Sequence, residues 1–331
     1  MRGIGRNIAA CAVLLLATGL QPGAAGEPET GTLSILFEND IFYNTDRDYT
    51  NGVAFAWTTA PENALDLATR TARTLPFFAR DGEVRTDYVL GQNIYTPTDL
   101  TLSDPSPTDR PYAGFLYVGV GVIDETDTQL DQAQLQLGVV GPGSLAEESQ
   151  KLVHTIIHDT IPQGWSYQLH NEPGVVLIDE KAWRGIESGR FLGFSFDVDP
   201  HVGGAVGNIY DYANAGAMAR IGFELPDDYG PLRIEPSLPG SDFFEPVAGF
   251  GWYLFAGVDA RAVARNIFLD GNTWEASRHV DKLPFVGDGQ LGAALTFRNF
   301  RLTFTHVYRT KEFHTQPHSD QFGAVNLSVR F

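Results

Sequence analysis

Residues 321–331 read QFGAVNLSVRF. Val325, Leu327, Val329 and Phe331 share one face of this period-2 run, and Asn326, Ser328 and Arg330 share the other. A strand that is apolar on one side, polar on the other and ends the chain on Phe has the pattern of a transmembrane barrel strand. The same dyad recurs at 132–139, where Gln132, Gln134 and Gln136 oppose Ala133, Leu135, Leu137 and Val139. A soluble sandwich strand also buries one face, so the alternation takes its meaning from the rest of the chain.

The opposite end supplies that meaning. Arg2 and Arg6 precede a mostly apolar run over 8–20, and Gly23, Ala24, Ala25 and Gly26 offer a small-residue cleavage site. Residues 1–26 are therefore expected to be a secretory signal peptide, leaving 27–331 as one domain. Ile8-Ala9-Ala10-Cys11 imitates a lipoprotein box, but most of the apolar run follows the cysteine, which argues against lipidation. Cys11 is the only cysteine, so the mature chain holds no disulfide of its own. No apolar run after the leader approaches the ~20 residues of a spanning helix. A closed barrel is the other structure whose backbone is satisfied inside lipid, and it accommodates the 35 glycines and many short alternating segments. The formal charge of −18 becomes −20 once Arg2 and Arg6 leave, which argues against nucleic acid. Such a protein meets anionic lipid through divalent cations or local basic patches.

Period-2 segments fall at 32–39, 51–59, 87–95, 112–123, 129–140 and 166–183, then at 190–204, 209–223, 248–265, 288–298, 299–309 and 321–331. Twelve is even, as a single-chain bacterial barrel requires. The fold expected is an all-β, transmembrane, antiparallel up-and-down barrel with a short helix in an extracellular loop. With both termini in the periplasm, the loops at 40–51, 96–111 and 141–165 share the outer rim. Segments 60–86 and 224–247 then face the periplasm and are longer than the turns expected there; 65–78 reads as a helix.

Three stretches on that rim carry chemistry. Glu38-Asn39-Asp40 ends the first strand and Tyr49-Thr50-Asn51-Gly52 opens the second, so Asn39, Asp40 and Thr50 come close enough to share a site. The same residue types also form ordinary turns. In the third loop, Ser144 and Glu147 make a capping-box pattern that predicts a helix over 145–158. Glu147, Lys151, His154 and His158 lie along one stripe of it. A histidine there can serve as a general base or simply be a solvated helix residue. Zinc is disfavoured because Thr155-Ile156-Ile157 between the histidines contains no glutamate base. Gly185-Ile186-Glu187-Ser188-Gly189 has the wrong spacing for a serine-hydrolase elbow, and no cysteine nucleophile survives cleavage of the leader. Asp109-Arg110-Pro111-Tyr112-Ala113-Gly114 leads into the fourth strand. Its Arg110 can meet a first-loop carboxylate, a lipid phosphate or the polar lumen.

Taken in order, Glu38-Asn39-Asp40, Tyr49-Thr50-Asn51-Gly52, Asp109 to Gly114 and His154 resemble the outer-membrane lipid A deacylase family. Gly141-Pro142, Gln150, Pro162-Gln163-Gly164-Trp165, Gln168-Leu169 and Asn171-Glu172 extend the likeness. The resemblance implies a twelve-stranded barrel, a calcium requirement, and removal of the 3′-acyloxyacyl chain of lipid A at the outer rim. It assigns His154 as the base that activates water, Asp40 as a calcium ligand, and Asn39 and Thr50 as neighbours of metal or substrate. Glu38, Arg110 and Asp159 are further rim candidates. Two positions depart from the family pattern. Some members have Gly four residues after the His and an acidic residue two further on, where this chain has His158 and Thr160, with Asp159 adjacent. With 158 in the expected helix, a glycine there costs ~1 kcal/mol of helix stability. A basic cluster found in some members is absent from 102–108. The expected function is a calcium-dependent lipid A esterase. An outer-membrane phospholipase and a non-catalytic pore or structural barrel are the alternatives.

Overall fold

The structure, a computed structural model, describes residues 29–40, 48–230 and 243–331. The expected signal peptide and residues 41–47 of the first loop lie outside the described residues. Thirteen described strands form one antiparallel sheet. In chain order they are β1 (Gly31–Asn39), β2 (Asp48–Thr59), β3 (Glu83–Thr96), β4 (Ala113–Glu125), β5 (Gln129–Val140), β6 (Glu172–Trp183) and β7 (Glu187–Phe191). There follow β8 (Phe194–Gly207), β9 (Tyr210–Phe223), β10 (Phe250–Asn266), β11 (Phe285–Phe297), β12 (Phe300–Arg309) and β13 (Asp320–Arg330). β1 pairs with β13 and β6 with β8, which closes a twelve-stranded barrel. β7 is the extra strand, paired only with the start of β8.

Most expected strands are found within a few residues of their places. The segment expected at 190–204 is instead a hairpin, because Leu192 and Gly193 both take positive φ (52° and 89°) and form a two-residue turn. The segment expected at 166–183 starts later. Trp165–Tyr167 is a 3-10 turn, and Leu169 donates its backbone N–H to the Tyr112 carbonyl, so pairing begins only at Glu172.

The two faces of the wall differ as the alternation requires. On β5, Gln132, Gln134 and Gln136 are buried while Leu135 and Leu137 face outward. The lumen is filled. Tyr95, Phe115, Tyr117, Tyr210 and Tyr212 pack there with Leu36, Val176, Ile178 and Val307. A single-turn helix, Ile267–Asp270, drops Phe268 onto the Tyr95 ring at 4.1 Å, and the Tyr95 and Tyr210 hydroxyls meet at 2.7 Å. This stack sits toward the end remote from the chain termini, called the upper end below.

The two long lower connections have separate explanations. Part of 224–247 turns up into the lumen: Asp228 is fully buried and binds Arg220 (2.5 Å) and Arg301 (3.2 Å), while Phe243 and Phe244 lie under Arg85 and Arg301. In 60–86, helix α1 (Asp66–Thr74) lies on the outer wall. Its Ala68 and Ala72 pack on Val84, Val122 and Ala133, and Arg73 pairs with the buried Asp124 at 2.8 Å. The helix expected at 65–78 is thus present and shorter.

Candidate functional site

The upper end of β1–β4 carries the second long helix, α2 (Ala146–Ile157), laid against the outer wall. Its seat is Gly114. A Cβ at that position would lie 2.2 Å from both Ala146 Cβ and Ser144 Oγ, so only glycine allows so close an approach. Gln92 Nε2 donates to the Ser144 carbonyl (2.7 Å), and Trp165 Nε1 donates to Gln150 Oε1 (2.9 Å) from a cluster of Ile94, Leu100, Tyr112 and Ala146.

The expected capping box is not formed. Ser144 belongs to a 3-10 turn and donates its hydroxyl to the Gly141 carbonyl at 2.6 Å. Leu145, in left-handed geometry (φ 59°), separates it from the helix, which starts at Ala146. Glu147 is instead held by Lys151 at 2.5 Å, one turn on.

Between α2 and the wall runs a groove of about 400 Å³. Phe37, Val53, Phe55, Leu90 and Leu116 from the wall, and Leu152 and Val153 from the helix, make most of it apolar. Asn39, Thr50, Asn51, Gln150 and His154 make its polar part. Asn39 lies on the outer face with Leu33, Ile35 and Phe37, opposite Asn51 of β2. Thr50 reaches the same face because the β2–β3 register slips there, a bulge that reverses the alternation for one residue. Its hydroxyl shares a 2.6 Å hydrogen bond with that of Thr96.

His154 is 5% exposed, and its Nδ1 lies 2.5 Å from the Thr160 carbonyl oxygen. A carbonyl only accepts, so Nδ1 carries the proton and Nε2 of the neutral ring is the acceptor nitrogen. The chain after the helix is folded back to make this possible. His158 takes left-handed geometry (φ 59°), and its N–H and that of Asp159 both return to the His154 carbonyl. The His154 ring is therefore oriented by a backbone oxygen, which no residue type announces in sequence.

The other candidates lie elsewhere. Glu38 is buried on the lumen side of β1, as its alternation with Ser34 and Leu36 dictates. Asp40 is buried at the end of β1, next to Asn39. Arg110 is fully buried, bound to Glu312 at 2.9 Å and packed over the Tyr95 ring, and does not line the groove. Asp159 is exposed and accepts from its neighbour Thr160 N–H; His158 is exposed too.

Among the described residues, no three His, Cys, Asp or Glu side chains cluster as metal ligands. The oxygen donors that line the polar part include the Asn39 amide and the Thr50 hydroxyl; Asp40, next in the chain to Asn39, is buried and is not part of that lining. Oxygen donors of this kind, with a carboxylate adjacent in sequence, suit the chemistry of a hard cation such as calcium and not that of zinc.

A closed barrel with an apolar outer belt and a lateral, half-apolar groove defines a membrane β-barrel whose site opens on the wall. The family model described as "Outer membrane protein LpxR" matches residues 8–331, and the chain belongs to that family of outer-membrane proteins. Among solved structures, LpxR from Salmonella typhimurium is similar at a TM-score of 0.73 and 20% identity, covering 91% of this chain and 100% of that one. The beta domain of the Bordetella autotransporter BrkA (TM-score 0.43, 7% identity, 92% and 99% covered) is a looser match. So is the COG4313 outer membrane channel from Pseudomonas putida F1 (0.41, 9%, 94% and 100%). These two carry no argument about this chain. No curated protein sequence matches it.

Proposed function

We propose that this protein is a lipid A deacylase that hydrolyses the ester of the 3′-linked acyloxyacyl chain, with its groove at the extracellular rim. The observation that carries the reading is the pairing of His154 Nδ1 with a carbonyl inside a groove that is apolar along the wall and polar near Asn39 and Thr50. An acyl chain suits the apolar part and an ester the polar part.

In this mechanism His154 Nε2 takes a proton from water as the water oxygen attacks the ester carbonyl carbon. The Thr160 carbonyl keeps the ring in the competent tautomer and supports the positive charge that develops. Collapse of the tetrahedral species breaks the bond to the sugar oxygen, and His154 returns its proton there. The products are the acyloxyacyl carboxylic acid and a sugar hydroxyl. Asp40, with Asn39 and Thr50, would hold calcium, which when bound supplies electrostatic stabilisation to negative charge on oxygen. Asn39 and Asn51, side by side on the outer face, orient the polar linkage.

Side chains packed in the lumen speak against the pore alternative: Phe268, Tyr95 and Tyr210 stack toward the upper end, and Asp228 is buried with its two arginines toward the lower. The phospholipase alternative shares the chemistry and differs in substrate. Purified protein is incubated with lipid A and phospholipid together in one detergent with calcium, and acyl loss is read by mass spectrometry. Loss from lipid A alone supports the proposal; loss from phospholipid alone replaces it.

A further inference from the structure

The outer wall carries a second helix whose exposed side chains the hydrolytic site does not use. Along the lower wall, Trp57, Tyr88, Val120, Leu135 and Leu177 form one register row, all outward. The next row down is Thr86, Val122, Ala133 and Asp179, and α1 packs on its middle. α1 therefore lies immediately below the lipid-facing belt, at the level where apolar wall gives way to Asp124, Asp131 and Lys181.

Its face toward the wall is satisfied by Ala68 and Ala72. The exposed side is mixed: Leu67 is 72% exposed among Asp66, Thr69, Arg70 and Thr74, and the flanks of the helix add Leu65 (46%) and Phe77 (47%). Arg70 and Arg80 are exposed beside them in an otherwise strongly acidic chain. Exposed leucines and a phenylalanine with arginines, continuous with an apolar belt, match the chemistry of a phospholipid interface.

We infer that α1 and its flanks form a docking surface for the phospholipid leaflet nearer the chain termini. Leu65, Leu67 and Phe77 insert among acyl chains there, and Arg70 and Arg80 meet phosphates. The surface lies beneath the β3–β4 wall that carries the groove, so it fixes how deep that sector sits in the bilayer. The inference rests on the proposed orientation only for calling that leaflet periplasmic.

The mature chain has no cysteine, so one introduced thiol reports one position. Leu67→Cys carries an environment-sensitive fluorophore in the full mature protein, reconstituted in phosphatidylcholine vesicles. Val118→Cys on the mid-wall and Ser106→Cys in an upper loop serve as references. Quenching by a nitroxide on the lipid near the headgroup should be at least about twice that of Ser106→Cys, with matching protection from aqueous iodide. Iodide quenching equal to that of Ser106→Cys would overturn the inference and leave α1 as a surface for water or a protein. Leu67→Ala with a label at Phe77→Cys repeats the reading if the first variant folds poorly. Neither readout requires hydrolysis, so a failed substrate assay and a failed docking surface are told apart.

Discussion

Gly114→Ala tests whether the seat of α2 sets the position of the base. The new Cβ would stand 2.2 Å from Ala146 Cβ and from Ser144 Oγ, where non-bonded carbons rest at about 3.5–4 Å. The first turn of the helix must then lift by roughly 1.5 Å. His154 lies eight residues further along the same helix and moves with it. A displacement of about 1 Å between a base and its reacting atom costs on the order of 10²-fold in turnover. The overpacking itself costs about 1–3 kcal/mol, which a closed barrel withstands. The assay is release of the acyloxyacyl acid from lipid A in detergent, beside a heat-modifiability gel that reports the folded barrel. Ala146→Gly with Ser144→Gly in the Gly114→Ala background reopens the space and should recover part of the loss. A folded Gly114→Ala protein with full turnover would refute the claim that this contact positions His154.

Four further outcomes are expected. His154→Ala abolishes deacylation at matched outer-membrane levels, measured by lipid A mass spectrometry on cells; an active variant places the base elsewhere. Asp40→Asn keeps the barrel but lowers turnover by about 10²-fold or more and raises the calcium needed for half-maximal rate; full activity in excess chelator would remove calcium from the mechanism. His158→Gly keeps substantial activity and is neutral to stabilising by up to ~1 kcal/mol in chemical unfolding, because residue 158 adopts left-handed geometry; destabilisation by the helix-interior ~1 kcal/mol contradicts this. An epitope tag at Ser106 is reached by antibody on intact cells, and exposure only after permeabilisation inverts the orientation.

The barrel was legible because lipid and lumen impose opposite demands on alternate residues, and QFGAVNLSVRF meets both. What alternation could not show is where it breaks. Thr50 shares the even numbering of the inward Gly52 and Ala54, yet the bulge turns it outward to Thr96 and the groove. Leu192-Gly193 looked like strand because leucine rarely takes positive φ. Ser144-x-x-Glu147 satisfied a capping pattern, but the Ser144 hydroxyl donates to the Gly141 carbonyl instead of accepting from a helix N–H, and Leu145 takes the N-cap position. His154 stood out as a residue type. Its orienting partner is a main-chain oxygen, and the turn that delivers it depends on the geometry at His158.

Position 158 also changes how the departure from the family pattern is understood. Glycine is favoured where φ is positive at a helix C-terminus, because it has no Cβ to clash. This chain accepts histidine in that same geometry and still returns two N–H groups to the His154 carbonyl. The acidic residue seen in some relatives at the place of Thr160 would add a carboxylate near the base. Here the carbonyl of Thr160 already holds Nδ1, so the side chain at 160 need not do so. The two departures therefore leave the proton on Nδ1 and the acceptor on Nε2. Asp159 lies exposed and accepts from the amide of its neighbour Thr160. A neutral acceptor supports a developing imidazolium less strongly than a carboxylate does. Introducing Thr160→Glu should consequently raise turnover if its carboxylate reaches Nδ1, and leave it unchanged if the backbone oxygen keeps that place.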